Sequence, residues 1–126
     1  MAAKGLLYTK DHEWVSIEGA AATVGITDYA QEQLGELVFV ELPVIGKEVS
    51  AHDEIAIVES SKAASDVYSP VTGKVIEVNQ ELETQPELIN EDCYKGGWIA
   101  KLQLTDPKSH EDLMDTEQYK EYVAGL

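Results

Sequence analysis

Residues 54–79 read EIAIVESSKAASDVYSPVTGKVIEVN. Glu54 to Glu59 alternates as a half-buried strand does, with Ile55, Ile57 and Glu59 on one face and Ala56 and Val58 on the other. Val67-Tyr68-Ser69 is a second β-like run, stopped by Pro70. Lys74 to Asn79 is a third, opened by the turn signal Thr72-Gly73. Between the first two runs lies a tip of small residues, Ser60 to Ser65, with Lys62 near its middle. Small neighbours leave the lysine uncovered, and its four-carbon stem carries the amine away from the sheet. An ordinary lysine ammonium is a poor nucleophile at neutral pH. Acylation at Lys62 therefore requires an enzyme that docks on the hairpin and removes the proton. The plainer reading is that Lys62 is one of nine solvated lysines.

Outward from this stretch the chain continues in short β-like runs. His12–Glu18 and Ala22–Thr27 flank the hairpin turn Glu18-Gly19-Ala20. Leu37–Leu42 is stopped by Pro43, Gly46 marks a turn before Val49, and Trp98–Thr105 is the last run. Two segments read as helix. Thr27-Asp28 caps the first, which runs through Leu34 to a stop at Gly35. Asp115 and Gln118 form a capping-box pattern before the apolar stripe Tyr119, Tyr122 and Val123. Pro107 breaks the chain before this tail, and Ser109–Met114 adds a turn. Many short strands with turn signals between them predict a sandwich or barrel. Trp14, Trp98 and Phe39 are expected in the core.

The 126 residues fit one domain. Acids outnumber bases 24 to 9, all nine bases are lysines, and the net charge is −15. Such a surface repels phosphate backbones and anionic lipids, which argues against nucleic acid and membrane as partners. The absence of arginine removes the usual bidentate clamp for phosphate and carboxylate. Protein partners should present positive patches. Cys93 is alone, so no internal disulfide forms, and it is expected to be inert. His12, His52 and His110 are scattered without metal-ligand spacing. Met1–Gly5 carries no apolar leader, and Leu37–Ile45 is too short to span a bilayer. There is no GxGxxG, P-loop or HExxH pattern.

The run Val58-Glu59-Ser60-Ser61-Lys62-Ala63-Ala64-Ser65-Asp66 resembles the lipoylation hairpin of lipoyl-carrier domains. Four further segments narrow the resemblance: Tyr8–Val15 (YTKDHEWV), Val24–Gln31 (VGITDYAQ), Leu34–Pro43 (LGELVFVELP) and Gly97-Trp98-Ile99. Together the chain resembles the H-protein family of the glycine cleavage system. That resemblance implies a mainly β barrel-sandwich hybrid with a short internal helix and a C-terminal helix. It implies a single lipoyl-carrier domain over residues 1–126, with 108–125 as a helical appendage. Biotin carriers share the fold but typically flank their lysine with methionines; here the neighbours are Ser61 and Ala63.

The resemblance further implies lipoate covalently attached to Lys62 and a non-catalytic carrier role. The aminomethyl group of glycine would pass on lipoyl-Lys62 from glycine decarboxylase (P protein) to aminomethyltransferase (T protein). The electrons would pass to dihydrolipoamide dehydrogenase (L protein). A lipoate ligase or a lipoyl/octanoyl transferase would attach the group. Glu13 and Asp66 match the positions that hold the arm's amine in this family, and Asp11 joins them, although some members have serine there. Gln33 departs from members with histidine at that position. The carrier is expected to be a monomer, cytoplasmic if bacterial, or in the mitochondrial matrix if a processed eukaryotic form.

Three other readings compete with this one. An H-like relay would donate lipoyl groups to other lipoyl domains. A hydrolase would use Glu13 and Asp66 as an acid/base pair, but lacks a nucleophile constellation. An acidic interaction module would carry no cofactor at all.

Overall fold

The β-like runs become nine strands in two antiparallel sheets among the described residues, which in this computed structural model are 6–106, 108 and 110–126. Met1–Gly5, Pro107 and Ser109, read above as a stretch with no apolar run, a chain break and the first residue of a turn, lie outside them. The elements are β1 (Leu7–Tyr8), β2 (Glu13–Glu18), β3 (Ala21–Ile26), α1 (Asp28–Leu34), β4 (Leu37–Glu41), β5 (Glu48–Val49), β6 (Glu54–Ser60), β7 (Ala64–Tyr68), β8 (Gly73–Val78), α2 (Leu88–Asp92), β9 (Ala100–Leu104) and α3 (Thr116–Ala124). A 3-10 turn spans Gln80–Glu83. The larger sheet runs β1-β2-β3-β9-β8-β5 and the smaller β4-β6-β7.

The inward faces of both sheets are branched aliphatics. Val15, Val24, Val75 and Leu102 from the large sheet and Val58 and Val67 from the small one share one core, each at most 1% exposed. Burying side chains of this size stabilises by about 1.5–3 kcal/mol each before chain entropy is counted. A second cluster of Leu6, Tyr8, Trp14 and Tyr119 fixes α3 against β1, with the Tyr8 and Tyr119 rings stacked 4.6 Å apart. The helix caps form as their residue types dictate. Thr27 Oγ1 accepts from the Ala30 amide, and Asp115 and Gln118 complete the reciprocal capping box.

Three local expectations need correction. Phe39 is not core: it is 48% exposed, because a bulge between Leu37 and Phe39 displaces the side-chain alternation of β4. Trp98 is only half-buried, with the Lys101 ammonium 5.2 Å from its ring centre, and β9 begins two residues later, at Ala100. His12 stands outside β2 in a left-handed conformation, φ 68°. Its ring explains the turn. Nδ1 lies 2.8 Å from the Tyr119 hydroxyl, and the ring packs on Tyr29, so the chain turns inward before Glu13. Burial lowers the His12 pKa, with Asp11 opposing the shift.

Candidate functional site: a lysine hairpin and a carboxylate corner

β6 and β7 pair from Glu54 opposite Tyr68 to Glu59 opposite Ala64. The Ser60 amide donates to the Ala63 carbonyl at 2.8 Å and closes the turn. Ser60 Oγ accepts from the amides of Lys62 and Ala63 at 3.3 and 3.1 Å, so one serine side chain braces the tip. Residues 61–66 are all exposed. The hairpin thus holds its backbone in place while Lys62 stands in solvent.

A shelf lies beneath the lysine stem. Gly35 ends α1 at φ 86°, ψ −167°, a region open in practice to glycine alone. A Cβ there would stand 3.2 Å from Lys62 Cε and 3.7 Å from Nζ. Asn90, on α2, fixes this joint. Its Oδ1 accepts from the Leu37 amide at 2.8 Å, and its Nδ2 donates to Gln31 Oε1 and to the Gly35 carbonyl, each at 2.9 Å. One side chain therefore ties α1, β4 and α2 together. Gln33 is exposed on α1.

The three candidate carboxylates gather elsewhere, at the base of the hairpin. Glu13 is 2% exposed. Its Oε1 accepts from Thr9 Oγ1 at 2.6 Å, and its Oε2 accepts from the Tyr68 amide at 3.1 Å. Thr9 Oγ1 in turn accepts from the amides of Asp11 and Glu13, each at 3.2 Å. Burial pushes the Glu13 carboxyl up to about 7, against the two donors that favour its charged form. Asp66 and Asp11 are exposed. Asp66 is the main cause of a raised pKa at the half-buried Tyr68, and Asp11, Glu54 and Glu13 add to it. All four carboxylates therefore lie near the Tyr68 phenol.

Lys62 does not reach that corner. Asp66 is the third residue of β7, four positions beyond Lys62 and on the order of 10 Å from the tip at ordinary strand rise. No ion pair joins Lys62 to a carboxylate among the described residues. A longer arm on the lysine would span the gap, and the uncovered tip leaves room for one. Among the described residues there is no cluster of metal-ligating side chains, and no helix is long and apolar enough to cross a membrane. Asn90, Thr9 and the Tyr68 amide were not foreseen. Asn90 and Tyr68 act through contacts more than 50 positions apart, whereas Thr9 bonds Asp11 and Glu13 only two and four residues on, a short-range threonine turn that the sequence reading passed over.

Comparison with known proteins bears on the family and the fold. The family model "Glycine cleavage H-protein" matches residues 6–125. The glycine cleavage system H protein of Parvibaculum lavamentivorans is 56% identical over 119 residues, covering 94% of this chain and 95% of its own. That of Thermotoga maritima is 54% identical over 117 residues, covering 93% and 94%. The crystal structure of a glycine cleavage system H protein from Mycobacterium marinum superposes with a TM-score of 0.88 at 38% identity, over 99% of this chain and 100% of the other. The mainly β, barrel-sandwich architecture with its C-terminal helix is shared with that structure. The chain belongs to the glycine cleavage H-protein family.

Proposed function

We propose that this protein is the lipoyl carrier of a glycine cleavage system, with lipoate joined through an amide to Lys62. Family membership supports the carrier role, and the observation that carries the residue assignment is the exposed, serine-braced hairpin tip with Lys62 at its apex. When attached, the lipoyl dithiolane supplies the group-carrying and electron-carrying chemistry between glycine decarboxylase, aminomethyltransferase and dihydrolipoamide dehydrogenase.

The chain's own residues present and receive the arm. Ser60 fixes the direction of the tip, and Gly35 leaves space for the lysine stem. Tethering to one carrier raises the effective concentration of cargo at each partner. Glu13, Asp66 and Asp11 form the receiving corner. A buried carboxyl whose pKa is raised by desolvation ionises readily when a cation approaches, because the cation offsets the burial. Glu13 is thus suited to hold a cationic group brought to it, with Asp66 and Asp11 completing the negative field from the solvent side. No general acid/base step is assigned to this chain, which acts as a carrier subunit.

In this reading residues 1–126 act as one carrier domain, with 108–125 as its C-terminal appendage. The relatives described above are bacterial, in line with a cytoplasmic carrier, and the carrier is read here as a monomer. The Lys62→Ala variant tests the assignment. Glycine-dependent electron transfer in a reconstituted system should disappear while the variant keeps its fold. Retained activity would overturn the carrier reading.

A further inference from the structure

We propose that the Val38-Phe39 face of β4 is the docking surface for the enzyme that acylates Lys62, and that this enzyme offers an apolar recess edged by cations. The inference rests on the carrier reading above and adds the recognition surface to it.

The first observation is the β4 bulge. A regular strand turns consecutive side chains to opposite faces. The register shift between Leu37 and Phe39 instead leaves two consecutive apolar residues in water, Val38 at 57% and Phe39 at 48% exposure. Bulges re-aim side chains in this manner. Neither residue belongs to the hydrophobic clusters of the fold.

The second is position. Leu37 pairs with Ser60 and Phe39 with Glu59, so the patch flanks the tip on the β6 side, on the order of 10 Å from Lys62. On the opposite side, Ala64, Ser65 and Asp66 of β7 offer no large apolar group.

The third is charge. Glu36, Glu41 and Glu59 lie on or beside β4 and β6. Residues 11–46 contain no lysine, and Lys62 is the sole lysine between Lys47 and Lys74. A partner approaching this flank meets an apolar centre with an anionic rim, which calls for cations around its own recess.

Geometry selects the acylating enzyme as the occupant. That enzyme must bring the lysine amine itself into its active site, and the stem is only four carbons long. Its surface must therefore come down on the hairpin flank. Enzymes that act at the far end of an acyl arm have no such need.

The test is steady-state acylation of the full-length protein by a lipoate ligase with lipoate and ATP, followed by intact mass. The double variant Val38→Ser/Phe39→Ser should raise KM for the protein about tenfold, with kcat within about twofold. Val44→Ser/Ile45→Ser serves as control. These residues are 73% and 56% exposed but lie beyond the end of β4 remote from the tip, and their KM should stay at the wild-type value. Added salt should raise the wild-type KM. Unchanged kinetics in a folded Val38/Phe39 variant, or an equal defect in the control, would overturn the docking surface while leaving the carrier reading intact. Failure of the wild type to be acylated, with the ligase active on another lipoyl domain, would overturn both.

Discussion

The Glu13 carboxylate accepts a hydrogen bond from the Tyr68 amide at 3.1 Å, across 55 positions of sequence and between the two sheets. A strand end of the small sheet is thereby anchored on a buried acid of the large one. The same hairpin carries Lys62 at its other end, so this bond helps to orient the candidate attachment site relative to the carboxylate corner.

Glu13 should give stability a distinct pH dependence. Its ordinary value of 4.5 is raised to about 7 by burial, so the native state keeps a proton that the unfolded chain releases. Stability then falls as pH rises from about 4.5 to 7, and the deficit stays constant above that window. A shift of this size corresponds to roughly 3 kcal/mol. Glu13→Gln removes the deficit while keeping an acceptor for the Tyr68 amide. Denaturant unfolding should show the variant gaining up to roughly 3 kcal/mol over wild type at pH 8 relative to pH 4. An equal difference at the two pH values would contradict the assignment.

Gly35→Ala should both destabilise the protein and hinder chemistry at Lys62. The φ of 86° disfavours any L side chain, and the new methyl would stand 3.2 Å from Lys62 Cε. A loss of about 1–3 kcal/mol is expected in equilibrium unfolding. Acylation of Lys62 by a ligase should slow under conditions where the variant remains folded. Wild-type stability and rate together would show that the shelf has no such role.

Much of this arrangement was legible in the sequence, for local reasons. Thr27 and Gly35 bounded α1, Asp115 and Gln118 announced the box that opens α3, and the Gly19 hairpin fell where expected. Capping and turn chemistry act over three or four residues, so composition reveals them. Phe39 was misread because a strand's apolar pattern does not disclose a bulge. The 3-10 turn and α2 escaped notice because four or five residues complete little more than one helical turn and show no period. The candidate site was legible as a motif, through Lys62 and its resemblance to a lipoylation hairpin. Its supports were not, since the Asn90 clamp and the Glu13–Tyr68 bond join residues more than 50 positions apart.

Asn90→Ala should cost more than a typical surface change. It removes one acceptor and two donor contacts at the α1–β4 joint and leaves the Leu37 amide without its side-chain partner. A destabilisation of about 2 kcal/mol is expected, because a polar group left unsatisfied away from water costs about 1–3 kcal/mol. Hydrogen exchange at Leu37 should accelerate more than at the β2–β3 pairing. Uniform acceleration across the sheets would argue against a local clamp.

Cys93 should resist alkylation in the native protein. It is 5% exposed, and burial, reinforced by Asp28 and Asp92, pushes its thiol up to about 12. Little thiolate exists at pH 8, and access is blocked. A maleimide should label the chain in strong denaturant and leave the native form unmodified over the same interval. Rapid native labelling would require local opening around α2.

The central claim is that Lys62 carries the lipoyl group, and intact mass with peptide mapping tests it most directly. After incubation with a lipoate ligase, lipoate and ATP, the wild-type chain should gain one lipoyl group, mapped to Lys62, and Lys62→Arg should gain none. A folded wild-type chain that gains no mass while the ligase modifies another lipoyl domain, or a lipoyl group mapped to a different lysine, would contradict the account.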